Sequence, residues 1–151
     1  MFNRTWDEYR HGFGDTEGNY WIGNNVLTWL TANGKYKLKF DLQSRKNGNW
    51  YYAEYSTFRV LSEANNYKLQ VSGYSGNAHY DSFKYHNGRM FSTYDRDNDQ
   101  SSGNCAGLRG GGFWYKDCYR CGVNNAPNVV SWFGLPGGNA LLTSRMWLKC
   151  K

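Results

Sequence analysis

In the stretch YKLKFDLQ, residues 36–43, Tyr36, Leu38, Phe40 and Leu42 alternate with Lys37, Lys39, Asp41 and Gln43. A period of two places the two sets on opposite faces of an extended chain, so this segment is a strand with one buried and one wet face, not a helix. YKLQVS repeats the pattern with Tyr67, Leu69 and Val71. Between them, WYYAEYSTFRVL is apolar on both faces, as expected of a central position in an antiparallel sheet. Upstream the period changes. TWDEYRHGFG has the composition of a short helix stopped by glycine, and NNVLTWLTANG offers an Asn cap, the apolar pair Val26 and Leu30 one turn apart, and a Gly stop. The class is α+β: a twisted antiparallel sheet with short helices.

From Gly73 onward Gly, Asn, Ser and Asp dominate and regular patterning fades. Long loops in a compact domain usually carry function, so the site is expected between Gly73 and Trp132. The 151 residues suit one domain, and no repeat, low-complexity segment or linker divides them. The formal charge is +6, but its cations run from Arg4 to Lys151 without a block, which argues against a nucleic-acid arm. No apolar run is long enough for a membrane span, and MFNRTWDEYRHGFGD lacks a signal peptide's apolar core; the chain is cytosolic, or a mature domain or fragment. Aromatics make up 19% of the residues, with Pro at only 2, which suits half-buried strand faces and an aromatic-walled binding surface.

All four cysteines, Cys105, Cys118, Cys121 and Cys150, fall in the last third. A zinc site would need a second close pair beside Cys118-x-x-Cys121, so disulfides in an oxidising compartment are the stronger reading. SGYSGN is G-x-S-G and misses the nucleophile elbow, and His79, Asp81 and Ser82 lack the strand–turn–helix setting of a triad. No catalytic constellation emerges. STYDRDNDQSSGNC is different, because Asp95, Asp97 and Asp99 crowd three carboxylates onto alternate positions. They fit an EF-hand's first half, but Gln100 stands where the turn needs Gly and Ala106 where a bidentate Glu belongs. A hard cation suits the loop nonetheless, with carboxylates of Asp97 and Asp99, carbonyls of Ser101 and Gly103, and water giving the oxygen shell that calcium accepts.

FNRTWDEYRHGFGD, NYWIGNNVLTWLT, YSGNAHYDSFKYHNGRMFSTYDRDND, GNCAG and FWYKDC together resemble the fibrinogen C-terminal domain, the module of fibrinogen chains, ficolins, tachylectins and angiopoietins. The resemblance runs from Phe2 to about Val123 and resumes at VVSWFGL and LLTSRMWLK. It implies a loop-rich, calcium-binding C-terminal region, with calcium on Asp97, Asp99, Ser101 and Gly103. It also implies a disulfide between Cys105 and Cys118, a cis peptide bond at Asp117–Cys118, and an acetyl-binding pocket lined by Trp114, Tyr115, Asp117, Cys118 and Tyr119.

Three departures from the family pattern stand out. Tyr119 replaces the usual His, the segment between VNN and VVSW is short, and the family's N-terminal subdomain is missing before Phe2, as in an N-terminally truncated domain spanning 1–151. Cys121 and Cys150 are additions to the pattern. Either they close a second bridge to the terminal strand, which the even count favours, or one pairs with another chain. The function expected is a secreted, calcium-dependent recognition module binding acetylated carbohydrate in innate defence. The alternative is a receptor-binding or clotting-type protein-interaction module. Neither nucleic acid nor a membrane span enters, and any oligomer would form through upstream segments.

Overall fold

A computed structural model describes residues 1–151. The elements run α1 (Trp6–His11), β1 (Phe13–Gly14), β2 (Tyr20–Trp21), α2 (Asn24–Thr31), β3 (Tyr36–Ser44), β4 (Trp50–Val60), β5 (Leu69–Gly76), α3 (Cys105–Arg109), β6 (Cys121–Gly122), β7 (Ser131–Trp132) and β8 (Leu141–Cys150). Two 3-10 turns, Glu63–Asn65 and Phe83–His86, flank β5.

The four-stranded antiparallel sheet has the order β5-β4-β3-β8, which puts the doubly apolar β4 inside, as its sequence requires. Leu38, Phe40 and Leu42 on β3 are buried together with Ala53, Tyr55 and Phe58 on β4, and Lys37, Lys39, Asp41 and Gln43 take the other face. β8 closes the far side, pairing Tyr36 with Cys150 and Phe40 with Met146. Its sequence lacks strict alternation because an edge strand buries little: only Leu141 on it is fully covered.

Helix α1 is fixed by a capping box, in which the Glu8 amide donates to Thr5 Oγ1 (3.2 Å) and the Thr5 amide to Glu8 Oε2 (2.9 Å). In α2 the cap is Gly23, with no side-chain capping bond, and the buried face is Asn24, Leu27 and Thr31, not Val26 and Leu30. Trp21 explains the shift, since its indole donates to Asn24 Oδ1 (3.0 Å) and draws that polar residue inward.

The core is strongly aromatic. Phe91 and Trp114 meet edge-on at 5.2 Å and Phe40 and Phe83 at 5.0 Å, while Phe40 and Trp132 pack tilted at 5.1 Å, so the sheet and the loop half share one apolar interior. Gly112 is required within this packing: a Cβ there would stand 2.6 Å from the Tyr9 ring.

Candidate functional site

The loop half is organised around the Cys105–Cys118 disulfide, with S–S 2.07 Å and Cα–Cα 5.5 Å. Asn104 caps α3 by accepting from the Gly107 amide (2.9 Å), and its Nδ2 donates to the Tyr94 carbonyl (2.9 Å). The acidic loop docks on this helix start. Asp99 accepts from the Ser101 amide through Oδ1 (2.9 Å) and from the Cys105 amide through Oδ2 (3.0 Å). Asp97 Oδ1 accepts from the Asp99 amide (3.1 Å), whereas Asp95 turns away and accepts from the Trp6 amide at the start of α1 (2.9 Å).

Burial, joined by the neighbouring Asp97, holds the Asp99 carboxyl above the usual carboxylate range. A cation between the two would relieve that repulsion, and the Ser101 and Gly103 carbonyls accept no backbone hydrogen bond that would compete with it. No group of three or more His, Cys, Asp or Glu gathers here as a metal centre, so a calcium ion would depend on two carboxylates and backbone oxygens. That donor set suits a hard cation.

Behind the disulfide, the Phe83–His86 turn inserts His86 fully into the interior. Its Nδ1 lies 2.7 Å from the Trp114 carbonyl, and its Nε2 accepts from the Arg120 (3.1 Å) and Cys121 (3.3 Å) amides. Those partners define a neutral ring, with the proton on Nδ1. Burial agrees, pushing its pKa down to about 4. The Arg120 carbonyl in turn accepts from the Phe133 amide (2.9 Å). The backbone of Arg120 is therefore clamped on both sides.

Its side chain enters a cleft of about 490 Å³ lined by Tyr85, Arg109, Asp117, Cys118, Tyr119, Arg120, Ser131, Phe133 and Asn139. The Arg120 guanidinium lies 4.9 Å from the Phe133 ring centre and 5.4 Å from that of Tyr85. Arg109 lies 5.3 Å from the Tyr119 ring centre, and the Tyr85 hydroxyl donates to the Asp117 carbonyl (2.9 Å). The cleft thus offers aromatic faces and unspent guanidinium donors.

The expected pocket residues divide. Asp117, Cys118 and Tyr119 line the cleft. Trp114 and Tyr115 do not, because both are fully buried: the Trp114 indole donates to the Tyr67 carbonyl (2.8 Å), and the Tyr115 hydroxyl lies 2.7 Å from the Gly111 carbonyl and 2.8 Å from Asn125 Oδ1. Their role is in the core. The Asp117–Cys118 bond is trans, the ordinary form for a bond not preceding proline, in place of the cis bond implied by resemblance.

The second bridge is also corrected, since Cys121 and Cys150 are both free. Cys121 pairs with Trp132 near the start of β8, and Cys150 lies at that strand's other end, roughly 30 Å away at strand rise and far beyond disulfide reach. Burial pushes the Cys121 thiol well up, leaving a small inert hydrophobe. Two of the three triad-like residues are spent on structure as well: Asp81 accepts from the Tyr55 hydroxyl (2.6 Å) and Ser82 donates to the Phe133 carbonyl (2.7 Å).

Sequence reasoning missed Tyr85, Arg109, Arg120, Ser131, Phe133 and Asn139. They come from separate elements, among them the Phe83–His86 turn, the end of α3 and β7, and the DCYRC run, a basic residue amid aromatics beside the bridge, is the one local signal that marks any of them.

An open cleft with fixed donors and aromatic walls, its backbone held by a neutral buried histidine, is built for recognition. Residues 1–134 match the family "Fibrinogen beta and gamma chains, C-terminal globular domain", and the chain belongs to this fibrinogen-related family. It is 46% identical to tenascin of Mus musculus over 142 residues, covering 90% of this chain and 7% of that protein. To ficolin-3 of Homo sapiens it is 43% identical over 123 residues, 82% of this chain and 41% of that protein. The chain therefore spans less than half the length of these relatives. The fibrinogen-like globe domain of human ANGPTL2 superposes with a TM-score of 0.89 at 36% identity, over 99% of this chain and 74% of that one. Lamprey fibrin D-dimer complexed with the peptide ligand Gly-His-Arg-Pro-amide superposes with a TM-score of 0.86 at 28% identity, over 97% and 56%. These relatives place the chain outside the cell.

Proposed function

We propose that this chain is an extracellular protein-interaction module whose cleft receives a polypeptide segment of a receptor or matrix protein. The observation that carries the reading is Arg120. With its backbone clamped by His86 and Phe133 and its guanidinium laid between the Phe133 and Tyr85 rings, it is pre-organised to meet a carboxylate or main-chain carbonyl. Arg109 supplies a second cation across the same cleft. The lamprey relative's peptide complex is consistent with this use of the fold.

A second reading, calcium-dependent binding of acetylated glycans, is favoured by the paired carboxylates beside the bridge. Asp97, Asp99 and the Ser101 and Gly103 carbonyls would hold the ion, which would supply positive charge that locks the loop. Asp117, Cys118 and Tyr119 would then receive the acetyl group. Burial of Trp114 and Tyr115 removes two aromatic walls from that pocket, which is why the protein-interaction reading comes first.

One titration series separates the two. Panels of receptor ectodomains and acidic peptides, and separately N-acetylglucosamine with and without calcium, are titrated against the protein and its Arg109→Ala/Arg120→Ala variant. A peptide or ectodomain that binds and weakens tenfold or more in the variant supports the interaction module. Calcium-dependent heat with N-acetylglucosamine, and none with any polypeptide, overturns it in favour of the lectin.

A further inference from the structure

The cations look evenly spread in sequence, but the fold collects them. Residues 35–60 and 141–151, which hold β3, β4 and β8, carry nine of the 18 Lys and Arg and two of the 12 Asp and Glu, a net +7 that leaves the rest of the chain at −1 within the total of +6. On the sheet face turned away from the core, register sets Lys39 beside both Glu54 and Trp147, Asp41 beside Tyr52 and Arg145, and Lys37 beside Lys149.

Three aromatic rings stand exposed on that face: Trp50 at 45%, Tyr52 at 39% and Trp147 at 47%. They are held in place. The Trp147 indole donates to Asp41 Oδ2 (2.6 Å), the Arg145 guanidinium lies 5.3 Å from the Trp50 ring centre, and Lys39 Nζ lies 5.4 Å from that of Tyr52. Local acids quench only part of the charge: Lys37 and Lys149 share the one carboxylate of Glu54 (3.1 and 3.0 Å), and Lys39 pairs with Asp41 (2.9 Å).

We infer that this face binds a sulfated polysaccharide. Aromatic faces stack on the C–H faces of sugar rings, and cations set about 5 Å apart across strands and about 7 Å along them form a lattice for repeated anionic groups. A neutral glycan would leave the cations idle, and among polyanions that also present sugar rings a sulfated glycan carries the densest charge. The site does not involve the cleft, so it stands or falls independently of the proposed function.

Heparin is the probe, titrated over a range of NaCl against the intact chain, alongside desulfated heparin. The wild type is expected to bind heparin at about 0.15 M salt and to ignore the desulfated form. Arg145→Glu/Lys149→Glu should weaken binding at least tenfold and reduce the salt slope by about two, one per lost anion contact, as for phosphate contacts. Lys68→Glu/Lys84→Glu, both exposed, off this face and identical in net charge, should change affinity less than about twofold, and Trp147→Ala should weaken it several-fold at unchanged slope. Near-ultraviolet dichroism checks folding, and Arg145→Gln/Lys149→Gln replaces the charge reversal if that variant fails to fold. Equal losses in the two double variants would reduce the effect to overall charge and overturn the site. Absence of wild-type binding at that salt, or equal binding of desulfated heparin, would overturn it as well.

Discussion

His86 makes stability depend on pH in a way that can be worked out from its surroundings. In the unfolded chain its pKa is near 6.5, and in the folded one burial holds it at about 4. Between those values the unfolded state binds a proton that the native state refuses, so stability falls as pH drops through that window. The gap corresponds to about 3 kcal/mol, fully lost near pH 4. Replacing the ring with His86→Gln removes the titration but serves the Trp114 carbonyl and the Arg120 and Cys121 amides imperfectly, which should cost about 2 kcal/mol at pH 7. The wild type should therefore be the more stable at pH 7 and the variant the more stable by about 1 kcal/mol at pH 4. Urea unfolding followed by tryptophan fluorescence at pH 7, 6, 5 and 4 measures both. Taking the difference cancels the carboxylates that titrate alike in the two proteins. A stability difference that stays constant across the range would refute a neutral, buried His86.

Replacing both Cys105 and Cys118 with Ser should cost about 3 kcal/mol, from the 13-residue separation they close, seen as a lower urea midpoint. Asp97→Asn should reduce any calcium-dependent rise in melting temperature far more than Asp7→Asn, whose side chain is 74% exposed; equal effects would make the acidic loop a solvated turn. Gly112→Ala should destabilise by about 1–3 kcal/mol, because its Cβ would stand 2.6 Å from the Tyr9 ring, and calorimetry decides it.

The sheet was readable in the sequence because its strands bury one face each. Leu38, Phe40 and Leu42 carry a period that no helix could satisfy, and β4 shows its central position by being apolar on both sides. Helix α2 was readable only in its existence. Its buried side includes Asn24, and a polar residue recruited by the Trp21 indole gives no hydrophobic signal. The acidic loop was visible as a local motif, but the cleft was not, because Tyr85, Arg109, Arg120 and Phe133 converge from distant segments, of which the Arg120 stretch is held by the buried ring of His86. Trp114 and Tyr115 misled for the opposite reason: an aromatic run looks the same whether it lines a pocket or fills the core.

The placement of β8 beside β3 has a consequence for how the chain folds. Tyr36 and Cys150 are partners 114 positions apart in sequence, and every pairing of β3 with β8 spans nearly as much. During synthesis β3 can therefore join β4 at once through a short hairpin, while its other edge must wait for the last of the four strands. Until then it exposes unpaired amides and carbonyls along Lys37, Lys39 and Asp41, whose backbone groups face β8. Such long-range closure makes folding slow, on the order of milliseconds to seconds, and the interval is one in which the open edge can recruit a foreign strand. A chain lacking 141–151 should remain in that interval permanently, aggregating in proportion to its concentration during refolding monitored by light scattering. A truncated chain that refolded to a soluble, cooperative monomer would show that β8 is an ornament on a sheet already complete without it.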